Sequence, residues 1–474
     1  MKSYLQHYIG GQWIDSTDGT RHVVINPATE EPASEVMLGT AADVDKAIAA
    51  ARAAFPAFSE TTREERLELL GRILAEYQKR IPEIAKAISE EMGCPISMAT
   101  AGQAGAGMGH FAATIDALKG FEFSGSAGRS HVVHEPIGVV AMITPWNWPM
   151  NQIVAKVAPA IAAGNTVILK PSEQTPGSAA IFAEAMDAAG VPAGVFNLVQ
   201  GDGPGVGTAL AKHPDIDMIS FTGSTRAGIM VAKNAADTVK RVHQELGGKS
   251  PNIILPGAPL DQALAGGVAG LLLNSGQSCI APTRMLVQRD QYDEAVGKLA
   301  AMFDARAVDD PAQEGKHIGP VVNKAQFDKI QGLIETGIAE GAVVAAGGPG
   351  RPADKNKGYY VRPTVLANVT NDMTVAQEEI FGPVLVVIPY DTLDEAIEIA
   401  NDTPYGLGAY IAGDPVVARQ IVRKLRAGSV FVNAGGLDFS APFGGYKQSG
   451  NGREYGKYGL AEFMEVKTVL GELA

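Results

Sequence analysis

Apolar residues along this chain follow two rhythms. In the first part they recur at helical spacing, with Leu67, Leu70, Ile73, Leu74 and Tyr77 on one face. The spacing predicts helices over 41–58 and 63–92, closed by Gly93-Cys94-Pro95. Residues 99–109 are rich in Gly and Ala and predict a closely packed helix. From Gly138 the rhythm changes. Short apolar runs alternate with Ala-rich helical segments: GVVAMITP (138–145), NTVILKPS (165–172), VFNLVQG (195–201), MISFTGS (218–224) and VKRVHQEL (239–246). Continuous apolar strands between helices predict a parallel sheet covered on both faces.

A second α/β block is expected from Pro251 to Gly445, with the helical AGGVAGLLLNSGQS, the strand TRMLVQR, two helices, and the strands EEIFGPVLVVIPY and SVFVNAGG. At the start, QHYIGGQWIDS and RHVVINPAT predict a hairpin turning at Asp18-Gly19. RSHVVHEP (129–136) and EFMEVKTVL (462–470) stand apart from both blocks. Lone strands of this kind are exposed edges unless they pair. They are expected to pair with each other and with another subunit.

Composition narrows the class. The chain has 474 residues, and 39 Lys plus Arg against 52 Asp plus Glu leave a net charge of −13. That balance argues against binding a phosphate backbone as the main task. Two cysteines, Cys94 and Cys279, cannot build a disulfide framework. The opening MKSYLQHYIGGQW has no apolar core of a secretion signal, and no apolar run approaches the ~18–20 residues of a membrane span. The expectation is a cytoplasmic enzyme or large binding module, with no nucleic-acid or membrane partner. No His, Cys or acidic spacing resembles a metal site.

Ligands of open parallel sheets bind beyond the strand carboxyl ends, so the residues there are the first candidates. GDGPGVG (201–207), with Gly203, fits G-x-G-x-x-G in no register. At Phe221, an apolar strand gives way to Gly223-Ser224-Thr225, which opens a helix. Free N–H groups there suit a phosphate, and Ser224 also reads as a plain helix cap. Lys170, Ser172 and Glu173 follow another strand. The Lys and Glu either bracket the ribose hydroxyls of an adenosine or form a solvated ion pair. Cys279 lies among Gly276, Gln277 and Ser278, which separates it from a plain core thiol such as Cys94. None of the eight His falls at a strand end with triad company. Glu245, before Leu246-Gly247-Gly248, is either a general base or an acid capping a turn. Asn147, framed by Pro145, Trp146, Trp148 and Pro149, is either an oxyanion donor or a turn residue. Glu379 and Phe381 either face a ribose and a ring or begin a strand.

In order, PWNWP, KPSE, FTGST, ELGGKSP, NSGQSC, EEIFGP and PFGGYKQSG span Pro145 to Gly450. Together they resemble the NAD(P)-dependent aldehyde dehydrogenase superfamily. The resemblance implies a Rossmann-like cofactor domain (1–120 and 138–247), an α/β catalytic domain (248–446) and a small β oligomerisation arm (121–137 and 447–474). Members are commonly homodimers or homotetramers. The fold implied is a variant Rossmann type without the G-x-G-x-x-G fingerprint.

The resemblance also implies roles. Cys279 is the nucleophile, Glu245 the base, and Asn147 an oxyanion donor. Lys156 and Glu454 match positions linked to proton relay. NAD, with NADP as an alternative, lies against Ile143, Thr144, Pro145, Trp146, Lys170, Ser172, Glu173, Gly203, Phe221, Gly223, Ser224, Leu246, Glu379 and Phe381. The substrate tunnel is expected from Trp148, Asn151, Gln152, Ser278, Ile280, Phe443 and the loop 435–439. Trp148 stands where many members carry Phe or Tyr. The implied reaction is aldehyde oxidation through a Cys thiohemiacetal and a thioester, which Glu-activated water hydrolyses to the acid. The competing readings are a coenzyme A-acylating semialdehyde dehydrogenase and a non-catalytic protein on this fold. No Arg or Lys is placed to grip a distal carboxylate, so a neutral aliphatic or aromatic aldehyde is expected.

Overall fold

The chain builds two large twisted sheets with helices on their faces, and two three-stranded sheets. The computed structural model describes residues 1–471. Residues 472–474, at the end of the expected arm, lie outside them. Among the described residues, no helix is long and apolar enough to cross a membrane.

The first large sheet has eight strands. Its parallel centre runs Arg241–Glu245, Met218–Thr222, Val139–Ile143, Thr166–Lys170 and Phe196–Leu198. Val139–Ile143, Thr166–Lys170 and Met218–Thr222 are buried throughout, which is why they read as unbroken apolar runs. From Val139–Ile143 the chain first adds strands on one side and then returns to add Met218–Thr222 on the other. The order therefore reverses between these two strands, and a crevice opens at their carboxyl ends. Pro149–Ala163 is a helix buried on every face. It is apolar all round because helices Gly105–Gly120 and Gly456–Glu462 enclose the side away from the sheet.

The second sheet has seven strands in the order Val343–Ala346, Thr364–Ala367, Val384–Tyr390, Arg284–Gln288, Pro251–Ile254, Gly408–Ala412 and Ser429–Val432. All pairs are parallel except the one at the Val343–Ala346 edge. The strands Pro251–Ile254, Val343–Ala346, Thr364–Ala367 and Gly408–Ala412, of four or five residues each, are additions to those expected from the sequence. As expected, Ser130–Pro136 and Met464–Val469 pair, antiparallel, and Ser124–Ala127 completes that sheet.

Three expectations change. The hairpin turns at Gly10-Gly11, not at Asp18-Gly19, because both glycines take positive φ (60° and 79°) in a two-residue turn. Thr20–Ile25 instead pairs with Pro32–Leu38 in a separate sheet. The helix expected over 63–92 divides at Arg80 into Arg63–Lys79 and Ile81–Met92. Pro82, lacking an N–H, sits in the first turn of the second helix, where no donor is needed. The strand expected from EEIFGP begins only at Val384, since Phe381 takes a left-handed φ of 62°. The close packing expected of residues 99–109 is present: a Cβ on Gly107 would stand 2.3 Å from the Tyr77 hydroxyl.

Candidate active site

Asn147 sits at the carboxyl end of the central strand, just before the buried helix, and is itself buried. Its carbonyl accepts from Gln103 Nε2 at 2.9 Å and from Asn274 Nδ2 at 2.8 Å. Its own Nδ2 donates to the Gln277 carbonyl at 3.1 Å, leaving a second N–H. This ties Asn147 to the segment that presents Cys279. That segment is strongly bent: Asn274, Ser275 and Gly276 all have positive φ (53°, 57° and 77°). Gly276 is required there, because a Cβ would fall 2.1 Å from the Gly382 carbonyl oxygen. Gln277 locks the bend, accepting from Val322 N and donating to the Asn274 carbonyl. Cys279 emerges half-buried. Burial and the carboxylates of Glu245 and Glu379 push its thiol up. Cys94 is buried in the hydrophobic core and does not line the cavity, as expected of a core thiol.

Glu245 ends its strand with its side chain buried, and neither oxygen has a hydrogen-bond partner among the described residues. Burial and the nearby Glu454 raise its carboxyl well above the usual range, while Lys156 and Arg453 oppose that. Lys156 donates to Glu454 Oε1 at 2.5 Å, with both side chains buried. The chain brings Glu454 here through Gly450–Asn451, which pairs with the Glu245 strand.

A cavity of about 680 Å³ leads to Cys279. Trp148, Asn151, Gln152, Ser278, Ile280 and Phe443 all line it, as does the loop 435–439 except Asp438. Trp148 Nε1 donates to Ser278 Oγ at 2.8 Å, so the indole spans the cavity wall next to the cysteine. No Asp, Glu, Lys or Arg of the described residues lines this cavity. One wall is the glycine-rich face of helix Leu260–Leu272, with Gly266 and Gly270 one turn apart. Its signal in the sequence is the four-residue spacing of Gly266 and Gly270, which puts them on one helix face.

On the sheet side, Ile143, Thr144 and Pro145 continue the central strand into the crevice. Lys170 is buried, 3.5 Å from Glu173, and Ser172 caps the turn between them by accepting from Gln174 N. Gly203 opens an exposed turn whose Asp202 faces Lys170. Ser224 accepts from Ala227 N, so it does cap its helix. Phe221 packs under Gly223, where a Cβ would stand 2.6 Å from the ring. Trp146 and Phe381 meet edge to face at 5.4 Å. Glu379 Oε1 accepts from Gly248 N at 2.9 Å, and Leu246 is buried with its N–H on the Ser449 carbonyl.

Among the residues the sequence did not point to is His243. His243 lies 3.6 Å from Glu245, both buried. The signal was present: residues two apart on a strand share a face.

The aldehyde dehydrogenase family profile matches residues 13–469. The chain is 52% identical over 474 residues to a 3-succinoylsemialdehyde-pyridine dehydrogenase of a Pseudomonas species, covering 99% of each chain. This chain belongs to the aldehyde dehydrogenase family. Among solved structures, an aldehyde dehydrogenase from Bartonella henselae is 48% identical with a TM-score of 0.97, covering 99% of both chains. A cysteine-to-alanine mutant of aldehyde dehydrogenase C from Pseudomonas syringae, in complex with NAD+ and octanal, is 52% identical, again with a TM-score of 0.97, covering 98% of this chain and 96% of that one. The aldehyde dehydrogenase fold thus extends over the whole molecule, and the reaction class is aldehyde oxidation.

Proposed function

We propose that this aldehyde dehydrogenase oxidises neutral, largely apolar aldehydes to carboxylic acids with NAD as acceptor. The observation that carries the substrate class is the cavity itself: about 680 Å³ leading to Cys279, with no Asp, Glu, Lys or Arg of the described residues on its wall. A distal carboxylate or ammonium on the substrate would lose its water there without gaining a partner. A relative with octanal bound fits the same reading.

The chemistry follows from the placement of the residues. Cys279 gives its thiol proton to water in the cavity and, as thiolate, attacks the aldehyde carbon, and the free N–H of Asn147 is held to receive the alkoxide. Collapse of the thiohemiacetal releases a hydride and leaves a thioester on Cys279. Glu245, buried without a partner, takes a proton from water, which attacks the thioester and frees the acid and the thiol. Its raised carboxyl suits a base working near neutral pH. Lys156 and Glu454, paired behind it, offer a route for that proton to leave.

The crevice residues fit a nicotinamide dinucleotide. Thr144 and Thr222 hydroxyls are buried without partners among the described residues, and the Lys170–Glu173 pair sits at a strand end beside them. Glu379 presents a carboxylate pinned by Gly248. When bound, the dinucleotide supplies the hydride acceptor. Glu173 opposes a 2′-phosphate by like charge, which favours NAD over NADP.

The division into a cofactor domain (1–120, 138–247), a catalytic domain (248–446) and an arm (121–137, 447–474) belongs to this proposal, as does a cytoplasmic homodimer or homotetramer. The experiment is a panel followed at 340 nm with NAD and NADP in parallel, with and without coenzyme A. Octanal, hexanal and benzaldehyde are expected to exceed succinic semialdehyde in kcat/KM. The reverse order would refute the substrate class, and acyl-coenzyme A as product would refute hydrolysis.

A further inference from the structure

His243 and Glu245 lie on one face of the strand Arg241–Glu245. His243 Nε2 and Glu245 Oε1 are 3.6 Å apart, with the side chains 1% and 2% exposed. Neither ring nitrogen of His243 and neither oxygen of Glu245 has a hydrogen-bond partner among the described residues. Two adjacent buried polar groups, both unsatisfied, are costly unless they serve each other. Gly452 packs against the ring edge next to Nε2, where a Cβ would stand 2.4 Å from His243 Cδ2.

We propose that His243 is a positioning residue for the base: its Nε2–H donates to Glu245 Oε1 and holds that carboxylate in the ionised form that takes a proton from water. The inference rests on the reading of Glu245 as the base. The gap needs to shorten to about 2.9 Å, and catalytic hydrogen bonds are often long before substrate binds. No proton leaves the imidazole.

The surroundings select this arrangement over an ion pair. Lys156, on the buried helix, and Arg453, on the loop beside Glu454, are the cations near His243, and with burial they keep the ring neutral. A neutral imidazole has one N–H, and among the described residues the only carboxylate oxygen paired with its Nε2 is Glu245 Oε1. Around Glu245, burial, Glu454 and Glu462 favour the protonated form, while Lys156 and Arg453 favour the ionised one. Cys279 faces the same carboxylate from the cavity. Donation from His243 adds to the ionised side, because a hydrogen bond to the charged form favours it.

The test uses the full-length enzyme, with Glu245→Gln as reference. His243→Leu removes the donor and His243→Gln keeps one. The acid limb of the kcat–pH profile is expected to rise by about one pH unit in His243→Leu, roughly a tenfold loss below the limb. In His243→Gln it is expected to return to the parent position. The initial NADH burst stays near the parent rate. Independently of turnover, the protonated-carboxyl infrared band that Glu245→Gln removes is expected to persist to higher pH in His243→Leu. An unmoved limb and an unmoved band in folded His243→Leu, with Glu245→Gln inactive, would overturn this inference alone. Parent-like turnover in Glu245→Gln would instead remove the base reading. If His243→Leu does not fold, His243→Met is the donor-free replacement with the same expected outcome.

Discussion

The Lys156 ammonium donates to Glu454 Oε1 at 2.5 Å, although the two residues are 298 positions apart and both are buried. Breaking a buried pair strands one charge, which typically costs about 3–5 kcal/mol. Lys156→Met and Glu454→Gln are both expected to melt earlier. Their effects on the base are expected to oppose each other. Glu454 raises the Glu245 carboxyl and Lys156 lowers it. Glu454→Gln should therefore move the acid limb of kcat to lower pH, and Lys156→Met to higher pH. Shifts in the same direction would show that the pair does not act on Glu245 through charge.

Trp148 donates to Ser278 next to the nucleophile. Trp148→Phe removes that hydrogen bond, a loss of about 1 kcal/mol, or roughly fivefold. It also trims the cavity wall beside Cys279. For benzaldehyde the loss is expected in KM, with kcat nearly unchanged, because the indole lines the cavity that would hold the aldehyde and takes no part in the bond changes. Steady-state kinetics on the two proteins decides it; an equal fall in kcat would place the contact in the chemical step.

Glu173 is partly exposed beside Lys170. Glu173→Ser removes the carboxylate that opposes a 2′-phosphate. The kcat/KM for NADP is expected to rise against that for NAD by roughly fivefold or more, a screened like-charge term of about 1 kcal/mol. An unchanged ratio would mean that cofactor choice is made elsewhere.

Glu91 is buried, accepting from Ser34 Oγ at 2.6 Å and Gly177 N at 3.0 Å. Burial raises its carboxyl to about 8. A folded-state value above the unfolded one means that the native protein binds more protons between them. Stability from this group therefore falls as pH rises from about 4.5 to about 8, and is level on either side. Glu91→Gln should flatten the fall. Urea melts of both proteins from pH 5 to 9 measure it; parallel curves would rule Glu91 out as a source.

The candidate site was legible to different depths. Local sequence left Cys279, Glu245 and Asn147 with a plain structural reading beside the catalytic one, and only the joint order of the motifs around them pointed to their roles. The Gly10-Gly11 turn was misplaced because Asp18-Gly19 offers an equally good local turn, and only the pairing of Thr20–Ile25 with Pro32–Leu38 decides between them. His243 was passed over because a lone histidine acquires meaning only from what faces it.

The sequence by itself determined the alternation of apolar strands and helices, the parallel centre of the first sheet and the residues at its strand ends. Those follow from local periodicity, which burial imposes residue by residue. Tertiary structure alone decided that Glu454 reaches Lys156, that no other described side chain satisfies His243 or Glu245, and that no charged residue among those described lines the cavity. These depend on segments hundreds of residues apart being brought together by sheet pairing, and on water being excluded where they meet. Neither leaves a mark in the spacing along the chain.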